Sequence, residues 1–240
     1  MSNKLTIIIP ALNEAAEIGK TLAAIRPFDA EVIVADGGSE DETANIARSL
    51  GVIVIEAERG RGSQMHAATL RATGDVFWFL HADTTPSPHS LTEIYRILES
   101  PNIVGGNFKL RFGGDSRAAR FMTWFYPLIR NIGLIYGDSG IFVRRETYEK
   151  IGGFKPLPLF EDLDIVYRLR RVGHLATLNE EIVTSSRRFE NRAFAPVFVR
   201  WVIYQCLYWI GVSPHRLARA YYPVRKDEIH SAGEARSKIF

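Results

Sequence analysis

The stretch KLTIIIPALNEAAEIGKTLAAIRPFDAEVIVADGGS, residues 4–39, decides the fold. Lys4 to Pro10 is a β-branched run closed by proline, the pattern of a buried strand. In NEAAEIGKTLAAIR the apolar residues Ile18, Leu22 and Ile25 recur at helical spacing. AEVIVADGGS is a second strand that breaks into Asp36-Gly37-Gly38-Ser39. The unit then repeats. EDETANIARSLG predicts a helix closed by Gly51, VIVIEA a third strand, GSQMHAATLRATG a helix up to Gly74, and DVFWFL a fourth strand. Strands alternating with helices at this spacing predict an α/β protein: a mostly parallel, doubly wound sheet with helices on both faces.

Beyond about residue 100 the alternation stops. NIVGGNFKLRF reads as a strand with glycine breaks, Arg117 to Ile132 as an aromatic-rich helix, and Gly137 to Val143 as a loop entering a strand. Asp162 to Val172 predicts a charged helix, and Arg192 to Tyr221 two apolar helices separated near Gly211-Val212-Ser213-Pro214. From Arg225 onward the chain is polar. Among 240 residues, 30 Lys+Arg against 27 Asp+Glu give a net charge of only +3, with no block of five like charges, so no nucleic-acid partner is expected. Arginine dominates the C-terminal half (Arg187, Arg188, Arg192, Arg200, Arg216, Arg219), which points to phosphorylated ligands or an anionic membrane face. The single cysteine, Cys206, excludes an internal disulfide and fits a reducing compartment. No secretory signal is read at the N-terminus. Val197 to Val212 is interrupted by Arg200 and Gln205 and is shorter than the roughly 20 residues that cross a bilayer, so no spanning helix is expected. A cytoplasmic location follows as the expectation.

Three strands end in polar clusters: Pro10 to Glu14, Asp36 to Ser39, and His81 to Asp83. Open parallel sheets bind ligands outside the carboxyl ends of their strands, so these clusters form one constellation. Asp36 reads either as an acceptor for a ring N–H or ribose hydroxyl, or as a cap of the next helix. Asn13 and Glu14 carry the same pair of readings. In FWFLHADTTP, residues 77–86, Asp83 suits a divalent cation bridging two phosphates, which needs few protein ligands; its other reading is a cap of a helix around Leu91. His81 lies on the same side of an extended chain as Asp83, as second ligand, phosphate donor or neither. Glu161, Asp162 and Asp164 cluster at a helix start, where a carboxylate can act as general base, while Asp164 and Arg168 have the spacing of a surface ion pair. Asp138-Ser139, between glycines, marks a close approach to a ligand or a turn. ERGRGSQM has Gly60 and Gly62 but Met65 where a dinucleotide fingerprint needs glycine, and it follows the third strand; a hydride cofactor is a weak reading. Arg59 and Arg61 there either grip phosphate at a helix N-terminus or are solvated.

TIIIPALNE, VIVADGGSEDET, FLHAD, GDSGIFVRRETYEKIGGF and FEDLDIVYRLRRVG, in this order from residue 6 to about 173, resemble the inverting glycosyltransferases of family 2. TSSRRFENR and WIGVSPHRLARAYY further resemble a small bacterial subgroup of arsenosugar-biosynthesis type. The resemblance implies the GT-A (nucleotide-diphospho-sugar transferase) fold. It implies a catalytic domain over 1–190 (nucleotide-binding half about 1–100, acceptor half about 101–190), a helical extension over 191–224 and a polar tail over 225–240. By the same resemblance Pro10, Asn13, Glu14, Asp36 and Gly38 line the nucleotide pocket, and Arg61 and Gln64 face the nucleotide-sugar side. Asp83, with His81 and Ala82 beside it, matches the end of the Asp-x-Asp motif and binds Mg²⁺ or Mn²⁺. Asp162 matches the catalytic base, Glu161 shapes the acceptor site, and Gly137, Asp138, Ser139 and Arg168 belong to the donor-sugar and acceptor region. Two departures stand out. His81 replaces the first aspartate, and Arg168, Arg170 and Arg171 stand where processive synthases carry Gln-x-x-Arg-Trp, which implies transfer of a single sugar.

The expected activity is therefore metal-dependent, inverting transfer of one sugar from a nucleotide-diphosphate donor, UDP-linked, to an acceptor hydroxyl of unknown identity. The rivals are a catalytically silent nucleotide-sugar binding module, for which His81 argues, and a nucleotidyltransferase, whose glycine-rich, lysine-bearing N-terminal loop is absent. The aromatic C-terminal helices pack on the core, lie peripherally on the inner face of a membrane, or form a homodimer; aromatics at helical spacing favour core packing.

Overall fold

The computed structural model describes residues 4–187 and 194–221. The tail from Arg225, and Arg188 and Arg192 of the arginine-rich region, lie outside the described residues. The strands are β1 (Leu5–Ala11), β2 (Glu31–Asp36), β3 (Ile53–Glu56), β4 (Val76–Phe79), β5 (Thr84–Pro86), β6 (Ile103–Phe112), β7 (Phe142–Arg144) and β8 (His174–Thr184). The helices are α1 (Ile18–Ile25), α2 (Thr43–Ser49), α3 (Arg61–Thr69), α4 (Ser90–Leu98), α5 (Arg117–Asn131), α6 (Arg145–Lys150), α7 (Glu161–Arg170), α8 (Phe194–Trp209) and α9 (Pro214–Tyr221). One sheet holds all eight strands in the order β3-β2-β1-β4-β7-β6-β8-β5.

β1 lies at the heart of the N-terminal half, parallel to β2 through Ile8↔Ile33 and to β4 through Ile8↔Phe79. Every residue of β1 is buried, which is why it reads as a continuous apolar run and not as an alternation. Side chains along β4 alternate between two cores, as a pleated strand requires. Trp78 and Leu80 join Ile7, Ile9 and the apolar faces of α1, α4 and α5, while Phe77 and Phe79 join Ile8, Ile33 and those of α3 and α6. Each such side chain is worth about 1.5–3 kcal/mol on burial. His81 and Asp83 thus leave the sheet from a rigid base.

The C-terminal half is less regular than a doubly wound sheet predicts. β7 runs antiparallel to both β4 and β6, and β5 antiparallel to β8, so the sheet is mixed. The glycine breaks in β6 have a packing reason: a Cβ on Gly105 or Gly106 would meet Phe142 O or Ala176 O at 2.3 Å. Asp83 is followed by the short strand β5, and the residue before the first turn of α4 is His89, so Asp83 does not cap that helix. α8 and α9 form the two predicted C-terminal helices.

Candidate active site

The loops after β1 and β2 are clipped together. Asn13, held at a left-handed φ of 55°, accepts from Glu40 N through Oδ1 at 2.9 Å, and its own N–H donates to Ser39 Oγ at 2.9 Å. Asp36 is buried and accepts from Gly38 N (3.2 Å), Ser39 N (3.0 Å) and Ser39 Oγ (2.5 Å). Its carboxylate therefore shapes its own turn. An open cavity of about 480 Å³ lies beside that turn, lined in part by Asp36, Gly38, Ser39, Asp41 and Glu56.

Asp83 leaves the end of β4 and meets the end of β8. Its Oδ1 is 3.4 Å from Thr184 Oγ1, and its Oδ2 is 3.5 Å from Arg187 Nη2. The same Arg187 nitrogen is hydrogen-bonded to Glu14 Oε2. One guanidinium thus neutralises the carboxylates of two strand-end loops that are adjacent in the sheet. Arg187 is pushed further toward permanent protonation by Glu14 first and by Asp83.

The third group surrounds Asp162. Phe160, in the left-handed region at φ 61°, turns the chain into α7, so Glu161 and Asp162 open the helix where its dipole favours anions. Asp162 Oδ2 accepts from Gly137 N at 2.8 Å and Oδ1 from Leu163 N at 2.8 Å. Glu161 Oε1 pairs with Arg61 Nε at 2.7 Å, both Glu161 and Asp162 being buried. Burial, followed by the negative charge of Glu161, pushes the Asp162 carboxyl up to about 6, against the opposing pull of Arg61 and the two backbone N–H groups. A carboxylate so raised is suited to accept a proton near neutral pH. His81 Nδ1 lies 2.7 Å from Asp138 Oδ1, and its Nε2 faces Gly137, where a Cβ would stand 3.1 Å from it and 3.5 Å from Asp162 Oδ2. The bare Cα of Gly137 lets His81 and Asp162 approach the same backbone closely.

The structure brings together Asn13, Asp36 and Gly38; Glu14 and Asp83; and Arg61, Gly137, Asp138, Glu161, Asp162 and His81, the last of which joins the second and third groups along one strand end. Five of the expected residues also make framework contacts. Gln64 is buried and its amide donates to Ala11 O and Ala35 O, both at 2.8 Å, tying β1 to β2. Ser139 is fully buried and donates to Tyr136 O at 2.6 Å, which holds the turn. Arg168 donates to Ile151 O at the end of α6 and pairs with Asp164 at 2.6 Å, the ordinary helical ion pair. Ala82 is buried with its carbonyl accepting from Thr21 Oγ1 at 2.8 Å, and Pro10 is buried within β1; both are framework. Arg187 stood out in sequence only as one of several C-terminal arginines, and its place beside Glu14 and Asp83 was not legible there. Its position depends on β8, which the sequence pattern does not announce.

The mixed eight-stranded sheet with helices on both faces, which carries an open cavity, two acidic strand ends and a buried raised carboxylate, is a GT-A fold. Residues 6–152 match Glycosyl transferase family 2, and the chain belongs to that family. Among similar proteins, an uncharacterized glycosyltransferase of Nostoc sp. is 25% identical over 203 residues, which cover 75% of this chain and 63% of that protein. The chain thus spans less than two thirds of that relative's length. The 4,4'-diaponeurosporenoate glycosyltransferase of Staphylococcus aureus is 50% identical over 90 residues, 34% of this chain and 24% of that one. The solved structure of glucosyl-3-phosphoglycerate synthase from Mycobacterium tuberculosis, in complex with Mn²⁺, UDP and glucosyl-3-phosphoglycerate, superposes with a TM-score of 0.64 at 22% identity. The match covers 88% of this chain and 81% of that one.

Proposed function

We propose that the protein transfers a single sugar from a nucleotide-diphosphate donor, UDP-linked, to an acceptor hydroxyl, inverting the anomeric carbon. The observation that carries this reading is Asp162: a buried carboxylate, raised to about 6, held by two backbone N–H groups at the mouth of a helix. In the proposed step the acceptor oxygen attacks the anomeric carbon from the face opposite the diphosphate. The bond from that carbon to the diphosphate oxygen breaks, and the hydroxyl proton passes to Asp162. Glu161 and Arg61 set the charge around that proton. Arg187, and Arg61 at the start of α3, are the cations available to a departing diphosphate. On this reading the 1–100 half holds the donor and the 101–190 half the acceptor.

A divalent cation, Mg²⁺ or Mn²⁺, is part of the proposal. The described residues hold no group of three or more His, Cys, Asp or Glu arranged around a metal. The donor set fits a cation held chiefly by Asp83, with the diphosphate and waters supplying the remaining ligands, as hard cations bound through one or two carboxylates favour. His81 is turned to Asp138 and is best read as a phosphate donor or an indirect contact. Bound there, the metal would supply charge neutralisation for the leaving diphosphate. The solved mycobacterial synthase, crystallised with Mn²⁺ and UDP, supports this choice by likeness of fold.

Incubating the protein with a panel of nucleotide sugars and Mn²⁺, with assays for nucleotide and for pyrophosphate, tests the proposal. Nucleotide release with transfer of the sugar is expected. Pyrophosphate release would instead mark a nucleotidyltransferase, and binding without turnover a silent module.

A further inference from the structure

We infer that the outer face of α5 and α8 docks on an anionic bilayer surface. Inward, α8 is anchored: Tyr136 Oη donates to Gln205 Oε1 at 2.6 Å, and Phe160 stacks on Tyr208 with ring centroids 4.6 Å apart. Outward it stays apolar. Val199, Ile203 and Ile210 are 54%, 51% and 77% exposed, at helical spacing. α5 carries a matching row, with Trp124, Leu128 and Ile132 63%, 47% and 70% exposed. Phe121 stands at the seam between the helices, touching Phe194 and Phe198 at centroid distances of 5.6 and 5.5 Å. A helix apolar on both sides, with only one side against protein, leaves the other to be covered.

Charge selects the occupant. α5, α8 and α9 contain Arg117, Arg120, Arg130, Arg200, Arg216 and Arg219, and not one aspartate or glutamate. All but Arg130 are exposed. In a chain whose cations and anions nearly balance, 30 to 27, this segregation is local and one-sided. A second copy seated on the same face would oppose arginine to arginine with no carboxylate between them. An anionic headgroup layer instead meets the arginines while the acyl boundary takes Trp124 and the isoleucines. No described helix is long and apolar enough to cross a membrane, so the contact is one of lying on the surface. It places the bilayer beside the helix that holds Phe160, the residue from which Glu161 and Asp162 start.

The test is co-sedimentation of the full-length protein with vesicles of phosphatidylcholine alone or with phosphatidylglycerol at one part in four, at low and high salt. Docking needs no donor, so it stands or falls apart from glycosyl transfer. Expected is binding at least about tenfold stronger to the anionic vesicles, weakened by salt. Binding should be lost in Trp124→Ser/Ile203→Asp and reduced in Arg117→Glu/Arg120→Glu, both variants keeping the wild-type affinity for UDP. Equal binding of wild type and both variants, or no binding to either vesicle, overturns the inference. So does a dimer, seen by sedimentation velocity, that Trp124→Ser/Ile203→Asp dissociates while vesicles bind neither protein.

Discussion

Replacing Arg61 with glutamine should move the pH dependence of the reaction without destroying its form. In the wild type, burial and Glu161 hold Asp162 up to about 6, and Arg61 is the cation that restrains the rise. Arg61→Gln leaves Glu161 buried without the partner now 2.7 Å away, beside the group that must lose its proton. An opposite charge nearby lowers a carboxylate by roughly 1–3 units, and since Arg61 pairs directly with Glu161 and acts on Asp162 from further off, the low end, about one unit, applies. The acid limb of kcat/KM should then shift from near 6 to about 7. At pH 6.5 the ionised fraction of Asp162 falls from roughly three quarters to one quarter, whereas at pH 8 it changes by only about a tenth. The loss attributable to protonation is thus roughly threefold at pH 6.5 and nearly absent at pH 8, on top of any uniform loss in phosphate binding. Steady-state kcat/KM between pH 5 and 9 separates the two, because the limb reports the proton and the plateau reports everything else. Glu161→Gln should move the limb the opposite way. An Arg61→Gln limb that stays put, or moves down, would refute the electrostatic account of Asp162.

The same carboxyl should leave a signature in stability. Because its folded value lies above the ordinary 3.8, its protonation stabilises the fold below that value, and the contribution is lost as pH rises through about 6. Between pH 4 and 7 wild-type stability should therefore fall relative to Asp162→Asn, by up to about 2 kcal/mol at 1.36 kcal/mol per unit, measured by urea unfolding. Asp83→Ala should lower kcat/KM by at least about a hundredfold and His81→Ala far less, if Asp83 anchors the cation and His81 only assists. Arg187→Ala removes the cation lying on Glu14 and Asp83, so Mn²⁺ binding without nucleotide, followed by the electron paramagnetic resonance of the free ion, should tighten by about tenfold while UDP binding weakens. Unchanged Mn²⁺ affinity would show that Arg187 does not compete for the site.

Much of the N-terminal half was legible because its strands are buried on both faces and its helices on one; β1 and β4 are nearly pure apolar runs, and their polar ends stand out. Glu161 and Asp162 stood out in the sequence as acids at the start of an otherwise core-facing helix, and the structure buries both there. β8 was hidden because its buried and half-exposed residues follow no strict alternation, and β5 is three residues long and ends in proline. With β8 went Arg187, whose place beside Asp83 depends on a pairing 100 residues apart in sequence, Thr84 with Thr184. The buried bonds of Gln64 and Ser139 were hidden for a different reason: a polar side chain near a site looks alike in sequence whether it faces a ligand or a buried carbonyl. Arg168 had its ordinary explanation in plain sight, four residues after Asp164.

The most direct test of Asp162 as the base in a single inverting transfer compares wild type with Asp162→Asn on a UDP-sugar that the wild type turns over, following product by NMR and UDP binding by calorimetry. Wild type should convert an α-linked donor to a β-linked product bearing one added sugar. Asp162→Asn should lose transfer by roughly 10²–10⁴-fold, the usual contribution of a general base, with UDP affinity held within about twofold. Turnover by Asp162→Asn at the wild-type rate, or a product that retains the donor's configuration, would contradict the account.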